Sequence, residues 1–221
     1  MAISRTELSS AVIGKLELNA SDAALLSKFQ VYENLSEAQL ELMNILPIQY
    51  LSEGIKTVLF GVELNESEYQ WPTVDFPFLR YVSLWVDYDN SIVMGGVAPA
   101  SINPGRRVIE YDASIHHASP NSIATQNYPF IDLSVEVGFM LYPVPDINVT
   151  DGFRLRYVYK PTDISATQDS LLNPGLKNLV IFKATALSAL VDQYRPDLAL
   201  KYEAMYDKQL ARLLPKEEIK R

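Results

Sequence analysis

The sequence predicts an α+β protein: a helical bundle formed by the N- and C-terminal segments, with an antiparallel β-rich domain inserted between them. Three observations carry this. Apolar residues recur at spacings of three and four near both ends of the chain, which is the period of a helix. Between the ends the pattern changes to alternation, the period of a strand, with turn formers as punctuation. Finally, each end segment carries an apolar stripe that must be covered, and the simplest cover for each is the other. The boundaries that follow are 1–55 and 166–221 for the bundle and 56–165 for the insertion.

Taking the elements in order, Thr6-Glu7-Leu8 through Leu18 reads as a short helix despite Gly14. From Asp22 onward, Leu25, Leu26, Phe29, Tyr32 and Leu35 form a stronger stripe. Asn34-Leu35-Ser36-Glu37 predicts a break, with Ser36 capping a new turn. Leu40, Met43 and Leu46 then continue the stripe as far as Pro47. Two or three helices result.

In the middle, Val82, Leu84, Val86 and Tyr88 alternate with Tyr81, Ser83, Trp85 and Asp87, so the two sets face opposite sides of a strand ending in an Asp89-Asn90-Ser91 turn. Ile131, Leu133, Val135 and Val137 alternate with Asp132, Ser134 and Glu136, while the stretch from Phe153 to Lys160 puts Arg154, Arg156 and Lys160 on its polar side. One polar face is acidic and the other basic, and turn formers link them. An antiparallel pair of these two strands is therefore expected. Residues 98–107 and 116–129 read as long loops of the kind that reach a neighbouring subunit.

The last region is the clearest helix. Asn173 is placed to cap it, with Pro174 at its first position. Leu176, Leu179, Val180, Leu187, Leu190, Val191 and Tyr194 make an apolar face, and Ala184, Ala186 and Ala189 admit a close neighbour. Arg195-Pro196-Asp197 then starts a second helix through Leu198, Tyr202, Met205, Tyr206, Leu210 and Leu213, giving a helical hairpin.

Composition narrows the function. The 221 residues hold 27 acids against 19 bases, a net charge of −8, which opposes phosphate gripping as the main source of affinity. An acidic surface instead suits a passage through which DNA slides without sticking. With no cysteine, disulfides and thiolate metal sites are excluded. The start has no secretory signal and the longest apolar run is too short for a bilayer, so a protein made and kept in a cytoplasm is expected, with no membrane partner.

Catalytic motifs are missing. His116 and His117 are adjacent and point opposite ways in extended chain, a poor arrangement for one ion. Gly95-Gly96 is a turn rather than a phosphate loop. Asp87 with Asp89, and Glu110 with Asp112, could share a strand face as a carboxylate pair, but solvated strand ends are the better reading. Trp71, Tyr81, Trp85 and Tyr88 could make a sugar-stacking platform, although β-forming core is the commoner role of such residues. No catalytic residue, metal ligand or cofactor is assigned, and the chain is read as no enzyme.

Three segments together resemble the head-to-tail adaptor (neck) proteins of tailed bacteriophages. Leu35-Ser36-Glu37-Ala38-Gln39-Leu40-Glu41-Leu42 is similar to the family's early helix. Glu68-Tyr69-Gln70-Trp71-Pro72, followed by Asp75-Phe76 and Phe78-Leu79-Arg80-Tyr81-Val82-Ser83, resembles a passage leading into a strand. Tyr194-Arg195-Pro196-Asp197-Leu198-Ala199, then Tyr202, Tyr206 and Leu210, is similar to the closing helix. The resemblance implies a homo-oligomeric ring, commonly of twelve copies, docked below the portal protein and holding tail or nozzle proteins on its other side. Double-stranded DNA would pass through it without sequence recognition, in the neck of a virion assembled in the host cytoplasm. It implies no active site or cofactor, and it makes the tail Lys216, Glu217, Glu218, Ile219, Lys220 and Arg221 the candidate portal contact. A carbohydrate-binding or hydrolytic β-module, or another tail or baseplate subunit, are the alternatives.

Overall fold

The computed structural model describes residues 3–16, 28–73, 75–88, 106–112, 119–133, 137–192 and 195–214. In chain order the elements are helices α1 (Arg5–Lys15) and α2 (Lys28–Ile45), then strands β1 (Ile55–Val62), β2 (Glu68–Gln70) and β3 (Phe78–Val86). Next come β4 (Arg106–Arg107), β5 (Ile109–Glu110), the single turn α3 (Pro120–Ile123), β6 (Phe130–Asp132), β7 (Gly138–Tyr142) and β8 (Val149–Tyr159). Helices α4 (Lys177–Leu187) and α5 (Pro196–Leu210) complete the described part. The class is α+β. The chain divides into two compact units, Met1–Gly54 with Lys160–Arg221, and Ile55–Tyr159.

In the helical unit α4 is the centre, touched by α1, α2 and α5. That explains a departure from the one-sided stripe expected of it. Leu179, Val180, Ile181, Phe182, Ala184 and Ala186 are all buried, because a helix enclosed on most sides is apolar on most sides. Each large side chain among them contributes about 1.5–3 kcal/mol by leaving water. Asn173 does cap the entry: its side chain accepts the Gly175 amide at 2.8 Å, over a 3₁₀ turn that feeds α4. At its other end α4 widens into a π-helical turn, Ser188–Asp192. Pro196 then opens α5, and Phe182 stacks on Tyr202 with ring centres 5.9 Å apart, closing the hairpin. Leu190 and Met205, expected on the covered face, are exposed.

The break expected at Asn34–Glu37 does not occur. Helix α2 runs through it because Ser36 is no cap: its hydroxyl donates to the Tyr32 carbonyl one turn back, at 2.8 Å. Leu18, Asp22, Leu25 and Leu26, the side chains of Phe29 and Val191, and Tyr194 lie outside the described residues.

The β unit is two four-stranded sheets, ordered β1-β8-β3-β4 and β2-β7-β6-β5. Among the described residues all strand pairs are antiparallel except the two-residue β5–β6 pair, which is parallel. Phe60 and Phe153 from the first sheet meet Tyr69 and Phe139 from the second. Phe60 lies 4.8 Å from Phe153, and Tyr69 lies 4.6 Å from Phe153 and 5.5 Å from Phe139. This aromatic cluster is the core between the sheets. Gly138 stands where β7 passes β2, and a Cβ there would overlap the Tyr69 carbonyl.

The strand pair expected from charge does not form among the described residues; Ser134, Val135 and Glu136 lie outside them. Residues 130–132 form β6 in one sheet, whereas β8 belongs to the other and lies between β1 and β3. Two physical features defeat the charge argument. The Arg154 guanidinium lies over the Trp85 ring, 4.7 Å from its centre, on the face of its own sheet, so it does not turn towards an acidic strand. Asp151 and Gly152, two of the turn formers expected to link the strands, are instead absorbed as a bulge in β8: Asp151 adopts φ 56° and the register with β1 shifts between Phe60 and Val62.

Candidate interaction surfaces

Within the helical unit, the residues that carried the family resemblance converge. Gln39 is fully buried, and its carbonyl accepts from the Ser170 hydroxyl and the Leu171 amide, both at 2.8 Å. Its amide donates to the Thr162 carbonyl at 3.4 Å. Three residues earlier, the Ser36 hydroxyl accepts the Ile164 amide at 2.8 Å. One face of α2 thus fixes the chain over residues 162–171, which has no regular structure to satisfy its own backbone.

The Glu41 carboxylate accepts the Tyr206 hydroxyl at 2.8 Å and pairs with Lys183 at 3.0 Å. Lys183 also pairs with Glu203 at 3.1 Å. Burial alone would push the Lys183 ammonium down, but hydrogen bonds and charge from Glu41 and Glu203 outweigh it and hold the group above its usual range. Burial, and then the Glu41 carboxylate, raise the Tyr206 hydroxyl. This knot joins α2, α4 and α5. It tethers the frame.

The second motif closes a loop in the β unit. Trp71 stacks on Phe78 at 4.0 Å with an 8° interplanar angle, the Phe78 amide donates to Pro72, and the Tyr157 hydroxyl donates to Phe76. Asp75 sits at φ 58° within it, a conformation Asp tolerates better than most residues. The four aromatics considered for sugar binding do not form one platform. Trp71 and Tyr81 line a groove of about 450 Å³ together with Phe78, Arg80 and Glu110. Tyr88 is buried and donates to the Pro143 carbonyl at 3.0 Å. Trp85 faces elsewhere, because an irregularity in β3 between Tyr81 and Ser83 turns Tyr81 to the core side. Burial pushes the Tyr81 hydroxyl up to about 12.

Of the carboxylate pairs, Glu110 and Asp112 are exposed, while Asp87 is buried, against the solvated position expected for it. Asp89, Gly95, Gly96, His116 and His117 lie outside the described residues, as does the tail Lys216–Arg221. Among the described residues no group of three or more His, Cys, Asp or Glu could hold a metal ion, and no helix is long and apolar enough to cross a membrane.

Two surfaces escaped the sequence reading. In the helical unit, a groove of about 1070 Å³ runs between α2 and residues 160–167. Tyr32, Leu40 and Ile164 line it, with Glu33, Glu37 and Asp163 exposed around them. In the β unit, strand register sets Leu59, Arg154, Trp85 and Arg107 in one row across the sheet, and Thr57, Arg156 and Ser83 in the next. Directly opposed residues share a face, so both rows lie on the side away from the aromatic core. The 153–160 alternation announced the two β8 arginines. Only pairing could bring Trp85 and Arg107 beside them.

The model of the SU10 adaptor protein family matches residues 10–221. No curated protein matches the chain.

Proposed function

This chain belongs to the SU10 adaptor protein family, structural adaptors of bacteriophage, and from that premise we propose that it is the head-to-tail adaptor of a tailed phage. Copies form a ring, commonly of twelve in such necks, that docks below the portal protein. Tail or nozzle proteins bind the ring's other side, and double-stranded DNA passes through the centre without sequence recognition. The observation that carries this reading is the length of the match, which takes in the first motif, the β-rich middle and the closing helix together.

Other features support it. The net charge of −8 keeps a passing polyanion from adhering. Several polar side chains of the first and third motifs, Ser36, Gln39, Glu41 and Tyr206, are spent on tethering the fold, as expected of a part that bears load. In this reading Lys216, Glu217, Glu218, Ile219, Lys220 and Arg221 reach the portal. Many modest contacts, repeated by symmetry, would hold the ring in place.

Purified protein mixed with its portal and imaged in negative stain should give stacked rings. Separate particles at micromolar concentration would end the proposal. A chain lacking Lys216–Arg221 should no longer stack, and undiminished stacking would remove the tail from the contact.

A further inference from the structure

The arginine rows and the acidic groove are complementary, and both lack a partner. Among the described residues Arg107, Arg154 and Arg156 form no ion pair with a carboxylate, and Glu33, Glu37 and Asp163 form none with a cation. Arg107 is exposed, Arg154 and Arg156 are half-buried, and Trp85 and Leu59 give the rows an apolar centre. The groove has the same plan in reverse, with Tyr32 and Leu40 inside and carboxylates around them; Lys160 is the cation in its lining. Arginine and tryptophan are the residues that most often anchor protein interfaces, and the guanidinium fork matches a carboxylate.

We propose that the Arg107–Arg154–Arg156 face of one copy docks into the Glu33–Glu37–Asp163 groove of the next. This rests on the ring reading above and names its contact. A carboxylate of a second copy is the anion because the groove sets the exposed Glu33, Glu37 and Asp163 around an apolar floor, which matches charged rows that also carry Trp85 and Leu59. Two different patches on one chain make a heterologous contact, which repeats by rotation and can close into a ring.

Charge reversal tests it on the full chain. Mass photometry would compare wild type, R107E/R156E and E33R/E37R, with circular dichroism confirming the helix content of each. Wild type should assemble, each variant should lose at least tenfold in self-affinity, and an equimolar mixture should assemble again. The mixture recovers because the reversed face of one variant then meets the reversed groove of the other. Variants that assemble as well as wild type would overturn the contact and leave the ring standing. A folded mixture that fails to assemble would do the same. R107E/R156E that keeps assembly but loses affinity for a short DNA duplex would assign the face to nucleic acid instead. A wild-type chain that stays single at all concentrations would take away the ring itself.

Discussion

Replacing Lys183 by methionine isolates the knot that ties α2, α4 and α5 together. The stem keeps its packing, but the Glu41 and Glu203 carboxylates lose the ammonium they share at 3.0 and 3.1 Å. The Lys183 side chain is 14% exposed, whereas those of Glu41 and Glu203 are 34% and 42% exposed, so water reaches the orphaned acids. The cost therefore falls below the roughly 3–5 kcal/mol of a fully buried broken pair. It exceeds the roughly 0–1 kcal/mol of a surface pair. About 2 kcal/mol is expected, which for a unit of this size lowers the midpoint by roughly 8 °C.

The readout must be ellipticity at 222 nm, because both tryptophans, Trp71 and Trp85, belong to the β unit and their emission follows that unit. The effect also has a pH signature. Lys183 is held above its ordinary value of 10.5 in the folded chain, so its contribution is complete below about pH 10 and disappears as pH rises through the folded value. The raised Tyr206 hydroxyl acts in the same direction. Wild type and K183M should thus differ by a constant amount from neutrality to about pH 10 and converge above it. A midpoint for K183M equal to wild type at pH 7, or a difference that widens in alkali, would refute this account of the knot.

Three further substitutions probe other tethers. S36A leaves the buried Ile164 amide without its acceptor, and should cost about 1–3 kcal/mol and speed hydrogen exchange at that amide at least tenfold. Q39E keeps the acceptor for Ser170 and Leu171 but places an ionisable group where Gln39 is 0% exposed. Burial raises a carboxyl, so Q39E should approach wild-type stability near pH 4 and fall away from it by pH 7 in urea titrations. G138A drives a methyl group into the Tyr69 carbonyl, and tryptophan emission should show the β unit losing at least about 2 kcal/mol.

The α+β class was legible because periodicity is a local property. Asn173, Pro174 and Pro196 marked helix starts for the same reason: a cap and a fixed φ act within one turn. What failed were inferences about partners. Ser36 was read as a cap from its neighbours, whereas its acceptor role is set by Ile164, far along the chain. Charge was used to pair residues 131–137 with 153–160, but Arg154 found a tryptophan and β8 found β1 and β3. The faces of β3 were assigned by strict alternation, which a register shift between Tyr81 and Ser83 interrupts. The motifs were legible as a likeness; that Glu41 of the first meets Tyr206 of the third was not. The groove and the arginine rows are assembled from segments distant in sequence, and no local pattern contains them.

The helical unit takes its residues from both sides of the β unit, and this sets an order of events at the ribosome. A nascent chain emerging as far as Tyr159 already holds every strand of the two sheets. It still lacks Lys183 and Tyr206, so Glu41 has neither of its partners and α1 and α2 have no α4 to cover them. An interrupted chain would display a finished β unit beside two helices with bare apolar sides, an invitation to chaperones and proteases. Translation products that stop before α4 therefore lack the helix on which α1, α2 and α5 pack, and cannot complete the helical unit.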